Sequence, residues 1–142
     1  MTQSDAGPSL LARSGRAALV TLKRDGRPQV SNVGYAYDAP AGVVLMSLID
    51  ATAKAHNLRR DPRASLYLTT ADLDTYQVVE GTVGLSPVAA SPHDATVDEL
   101  VEFYRRVRGA EHPNWPEYRA KVVASGRLVA RLTIERGYGR LS

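Results

Sequence analysis

The 142-residue chain contains no cysteine, which excludes disulfides, thiolate zinc sites, iron–sulfur clusters and a cysteine nucleophile. Long hydrophobic runs are missing too. The longest, Val43 to Ile49, falls far short of the roughly 20 residues of a membrane-spanning helix, and the polar N-terminus lacks the apolar core of a signal peptide. The reading is a cytoplasmic protein with no membrane partner. There is no Walker-type phosphate loop, no dinucleotide fingerprint and no nucleophile elbow. His56, His93 and His112 are scattered without metal-ligand spacing, so no metal site is assigned. Lysine is scarce as well: Lys23, Lys54 and Lys121 are the only ones among 18 basic residues. The net charge of +3 and the pI near 9.4 therefore reflect an arginine-rich composition. The basic residues are dispersed, with short clusters only at 59–63 and 105–108, which speaks against a nucleic-acid partner but leaves an anionic small molecule open.

What is present fits one domain spanning residues 1–142, with 44% hydrophobic and 23% charged residues. Residues 1–9 read as a flexible arm, and Leu10 and Leu11 as a short helical turn. A strand over 17–23 meets the hairpin signal Asp25-Gly26 and returns over 28–37. A second turn at 38–42 leads to the apolar strand 43–49, whose continuous hydrophobicity predicts cover on both faces. Helix-forming residues follow from Ala53 to Arg60 and stop at Asp61-Pro62. Strands are predicted over 63–69 and 76–88, with Gly81 and Gly84 marking a bulge or barrel corner. Ser91-Pro92-His93-Asp94 opens a helix to about Arg108 with Val97, Leu100, Val101 and Tyr104 on one face. Trp115 lies in a connector, read as packing onto the barrel, before a short helix over 117–124. A strand over 127–135 follows, and one more is expected after Tyr138. The pattern is mainly β, an α+β antiparallel barrel with peripheral helices.

Chemistry concentrates where strand 43–49 empties into the helix at Ala53. Backbone N–H groups at the helix start, the hydroxyls of Ser47 and Thr52, and the charge of Lys54 form a cradle for a phosphate. The competing reading makes Thr52 a simple N-cap and Lys54 a solvated first-turn cation. Catalytic dyads could be assembled from Asp72, Asp74 and Glu80, but solvated or ion-paired roles suit these carboxylates better than hydrolysis.

The runs Thr21 to Val33 (TLKRDGRPQVSNV), Ala53 to Ser65 (AKAHNLRRDPRAS) and Val79 to Val83 (VEGTV) resemble the pyridoxamine 5'-phosphate oxidase-like split β-barrel family. More narrowly, they resemble its actinobacterial branch of deazaflavin (coenzyme F420)-dependent oxidoreductases. The resemblance covers the chain from about Leu10 to Tyr138. It implies a homodimeric split barrel with cofactor sites in the groove between subunits. It also implies hydride transfer between reduced F420 and an electron-poor double bond of a small organic substrate. By position it assigns the cofactor phosphate to Ser47, Leu48, Thr52, Ala53, Lys54 and Asn57, the ring to Gln29 and Asn32, and an interface contribution to Asp74 and Tyr76. Thr52 stands where relatives often carry arginine or lysine. No catalytic side chain is assigned, because the cofactor supplies the reactive hydride. The alternatives are FMN in the same seat, as in pyridoxamine phosphate oxidases, and a barrel that holds a flavin or tetrapyrrole without turnover. Gln29 and Asn32 have opposite parity on a regular strand, so both face one ligand only if the strand bulges.

Overall fold

The computed structural model describes residues 9–140. The predicted arm lies outside these residues except for Ser9, which caps α1 (Leu10–Ser14) by accepting a hydrogen bond from the Ala12 N–H. Seven strands follow: β1 (Arg16–Leu22), β2 (Pro28–Gly34), β3 (Ala36–Asp38), β4 (Val43–Ile49), β5 (Arg63–Thr69), β6 (Tyr76–Leu85) and β7 (Arg127–Arg140). Between them lie α2 (Ala53–Arg60), α3 (Ala95–Arg108) and α4 (Trp115–Ala124). All the strand pairs are antiparallel, and the sheet runs β2-β1-β5-β6-β7-β4-β3.

That order dictates a curled sheet. β2 and β3 are its opposite edges, yet Tyr35 alone separates them in the chain. Because one residue spans less than about 4 Å, the two edges must come together and the sheet must roll into a split barrel. The single strand expected over 28–37 is thus two strands on different edges. Alternation runs unbroken through Val33, Tyr35 and Tyr37, so periodicity cannot reveal that the hydrogen-bonding partner changes.

Alternate residues fill the barrel. Leu19, Val44, Met46, Leu48, Leu66, Leu128 and Leu132 are almost wholly enclosed. A helix seals each mouth. At one, Leu10 and Leu11 of α1 join the core, the Leu11 N–H donates to Gln77 Oε1 (2.9 Å), and the buried Tyr35 hydroxyl donates to the Leu11 carbonyl (2.6 Å). At the other, Leu58 of α2 enters the same core. A second apolar cluster joins Val97 and Leu100 of α3 and Val122 of α4 to Val129, with Leu45 packed against it, so β4 is covered on both faces as its sequence predicts.

Three further boundaries differ from expectation. β6 ends at Leu85 rather than 88, and its bulge lies across from Glu80/Gly81. Glu80 pairs with Arg136 and Gly81 with Ile134, leaving Glu135 as the extra residue on β7. A side chain at Gly81 would sit 1.9 Å from the Thr133 carbonyl oxygen, whereas Gly84 faces open space. β7 then continues to Arg140 instead of stopping at 135 and restarting. Trp115 opens α4, and its ring packs against Tyr104, His112 and Tyr118, next to α3, rather than on the barrel. Among the described residues no helix is long and apolar enough to cross a membrane.

Candidate functional site

The start of α2 has the open donors that the sequence suggests. Thr52 occupies the N-cap position, but its hydroxyl donates to the Ile49 carbonyl (2.7 Å) and makes no capping bond. The first helical N–H groups therefore have no side-chain acceptor, which leaves the positive end of the helix available to an anion. Lys54 is half-buried in this first turn and makes no hydrogen bond or ion pair among the described residues. No acidic residue lies in the turn to offset it.

Asn57, one turn further along the same helix, is 6% exposed and fully engaged within the protein. Its Nδ2 donates to Thr21 Oγ1 and to Gln29 Oε1, both at 3.1 Å, and its Oδ1 accepts from Arg60 Nη2 at 3.0 Å. Arg60 also donates to the Leu22 carbonyl (2.8 Å). Asn57 and Gln29 therefore come together, and they tie α2 to the β1–β2 hairpin. At the far end of the helix, Arg63 hydrogen-bonds Asp61 through its side chain and backbone and holds that carboxyl at about 2.

The other sequence-assigned residues are spread more widely. Leu48 is 1% exposed in the barrel core, so only its backbone can face a ligand. Ser47 points to the opposite face of β4, where its hydroxyl accepts from Arg127 Nη1 (3.1 Å). Ala53 is exposed beside Lys54. On β2 the side chains of Gln29, Ser31 and Val33 turn inward, while Asn32 turns out to solvent, and the strand has no bulge to bring Gln29 and Asn32 to one face. Arg127 went unnoticed in the sequence because its approach to Ser47 spans 80 residues.

Asp74 and Tyr76 lie at the other end of the barrel. Tyr76 pairs with Thr69, which is level with Arg16, whereas Asn57 bonds Thr21. Five residues of strand separate those levels, roughly 17 Å. The intervening loop is organised by Asp72, whose Oδ1 accepts from Thr70 Oγ1 (2.6 Å) and from the Asp74 N–H (3.0 Å). Both bonds hold the Asp72 carboxyl below its ordinary value. Asp74 is exposed, and the Tyr76 ring lies 6.1 Å from that of Tyr67.

One chain thus places a cationic helix start and a tyrosine-bearing strand end at opposite ends of the barrel. The profile of one family, pyridoxamine 5'-phosphate oxidase, matches residues 5–140. The chain belongs to this family. Among solved structures, it is similar to an F420 reductase at 21% identity, with a TM-score of 0.69 and coverage of 96% of this chain and 98% of the other. It is also similar to a conserved hypothetical protein from Mycobacterium tuberculosis (20% identity, TM-score 0.73, 99% and 89% covered). A heme storage protein from Vibrio cholerae shares the fold at 13% identity (TM-score 0.66, 90% and 87% covered). At these identities the likenesses establish the pyridoxamine 5'-phosphate oxidase fold, which serves more than one ligand chemistry.

Proposed function

We propose that the protein is a coenzyme F420-dependent oxidoreductase, working as a cytoplasmic homodimer on a small organic substrate. The observation that carries this reading is the uncapped start of α2 beside the unpartnered Lys54, a seat for the phosphate of a deazaflavin. Membership in the pyridoxamine 5'-phosphate oxidase family and the fold shared with an F420 reductase support it. Bound there, the deazaflavin supplies a hydride for an electron-poor double bond. The chain's own residues bind and orient. The N–H groups of Ala53 and Lys54 and the Lys54 ammonium hold the phosphate, while Thr52 fixes the turn through Ile49. Asn57 holds Gln29 and the helix in register, so the seat is rigid before any ligand arrives.

Distance supports a second copy in this reading. Asp74 and Tyr76 of the same chain are too far from α2 to meet a ring seated there, so in the dimer the other subunit brings them. The outer face of β2-β1-β5-β6 suits that contact, because α3 and α4 pack elsewhere, over β4 and β7. This face presents Val30 (61% exposed) and Tyr67 (38%), and Tyr138 (50%) continues it from the adjoining end of β7.

The test is a parallel titration with F420, FMN and heme, reading ligand fluorescence or absorbance and quenching of Trp115. F420 is expected to bind at micromolar concentration or tighter and FMN weakly. Lys54→Ala is expected to weaken F420 at least about tenfold, the value of one charge-assisted contact. Unchanged affinity in that variant overturns the phosphate seat. Preferential binding of FMN moves the protein to flavin oxidation, and binding of heme alone replaces the enzyme reading with a tetrapyrrole carrier.

A further inference from the structure

Between the segment that enters α3 and the start of α4 lies a cavity of about 290 Å³, walled by Pro92, His93, Trp115, Pro116 and Arg119. It shares no residue with α2 or with the outer face of β2-β1-β5-β6. Its walls are fixed by the protein itself. Asp94 holds the entering segment by accepting from the N–H groups of Ala90 (2.8 Å), Ser91 (3.1 Å) and Val97 (2.8 Å). Asn114 caps α4 through the Glu117 N–H (3.1 Å), and the rings of Pro92 and Pro116 lock the backbone they belong to. The Trp115 indole is braced from outside the cavity. Its Nε1 donates to Glu111 Oε1 (3.1 Å), the Arg105 guanidinium lies 5.0 Å from its centre, and the rings of Tyr104 and Tyr118 meet it nearly at right angles.

Arg119 brings the polar group to this set of rings. Its Nη1 donates to the Pro92 carbonyl and to Asp98 Oδ1, both at 2.9 Å, which uses both hydrogens on that nitrogen. The tie between α3 and α4 needs Nη1 alone. Nε and Nη2 make no hydrogen bond among the described residues, and these two nitrogens form the edge that takes a carboxylate through both of its oxygens. Asp98 offsets the charge of Arg119 but leaves the geometry of that edge intact, and being 62% exposed it is itself largely hydrated. Indole, imidazole and proline rings stack on a flat apolar partner, and a cavity of this size holds one six-membered ring with a short substituent. We propose that the cavity binds a small aromatic carboxylate, its ring against Trp115, Pro92 and Pro116 and its oxygens on Nε and Nη2 of Arg119.

Trp115 is the only tryptophan, so its indole N–H gives a single resonance in a proton–nitrogen correlation spectrum of the full chain. Titration with benzoate is expected to shift that resonance saturably at millimolar concentration or below. Acetate, which lacks the ring, and benzamide, which lacks the anion, are each expected to bind at least about tenfold more weakly. Arg119→Met keeps the apolar stem and Arg119→Lys keeps the charge, but neither has the two-nitrogen edge, and both are expected to weaken benzoate at least about tenfold. Lys121→Met removes an exposed cation of the same helix that does not line the cavity, and it is expected to leave the affinity unchanged. Four results overturn the proposal: no saturable shift, benzamide binding as tightly as benzoate, full affinity in Arg119→Lys, or an equal loss in Lys121→Met. The comparison of benzoate with benzamide uses the native chain and does not depend on how well a variant folds. No residue of the cavity belongs to the seat on α2, so this proposal and the F420 reading fail separately.

Discussion

Tyr35 shows how much one residue carries in this fold. It is 3% exposed, its N–H donates to the Gly15 carbonyl (3.0 Å), and its hydroxyl donates to the Leu11 carbonyl across the barrel mouth. It is also the whole connection between the two sheet edges. Removing the hydroxyl in Tyr35→Phe leaves that carbonyl without its partner, and the expected loss of stability is about 1–3 kcal/mol by urea denaturation. Burial pushes the phenol above its ordinary value of 10.0, so the fold favours the neutral form. The hydroxyl's contribution is therefore complete below the unfolded value and declines as pH rises past it. The destabilisation caused by Tyr35→Phe should shrink in alkaline solution, which denaturation midpoints at pH 7 and pH 10.5 compare directly.

At the scale of elements, α2 does two jobs with two faces. Leu58 and Ala55 plug the barrel, and Lys54 faces outward at the open helix start. Asn57 links both jobs, because its carboxamide fixes the helix against Thr21 and Gln29. Asn57→Ala strands these buried partners and is expected to cost about 2–3 kcal/mol, read as a lower urea midpoint with an unchanged slope. The sequence shows this helix plainly, through its composition, its stop at Asp61-Pro62 and its likeness to the family. It does not show that Asn57 is spent on Thr21 and Gln29, since those bonds join residues 36 and 28 positions apart. The same division holds elsewhere. A continuous apolar run identifies β4, the Asp25-Gly26 signal marks the hairpin that β1 enters, and three-four spacing identifies the buried face of α3, because these patterns are local. The break at Tyr35, the bulge residue Glu135 and the Arg127 contact to Ser47 depend on which segment lies alongside. Local periodicity carries no record of that choice.

For the whole molecule, the decisive question is what covers the outer face of β2-β1-β5-β6. Light scattering at micromolar concentration is expected to give twice the chain mass. Val30→Asp places a charge on the uncovered face at a residue that takes no part in the core. It is expected to yield a folded monomer with weakened cofactor binding, and an undiminished mass would refute the dimer face. A different consequence follows from the place of β7 between β6 and β4. The last strand of the chain is the partner of both halves of the sheet: β2-β1-β5-β6 on one side, and the short β3–β4 hairpin on the other. As the polypeptide leaves the ribosome, each half is therefore left with an unpaired strand edge until β7 has been made. Closure of the barrel waits on pairings distant in the chain, β7 with β4 and with β6, so it depends on β7. A stop codon before Arg127 would cost far more than the last strand, since it would leave two exposed sheet edges with nothing to join them.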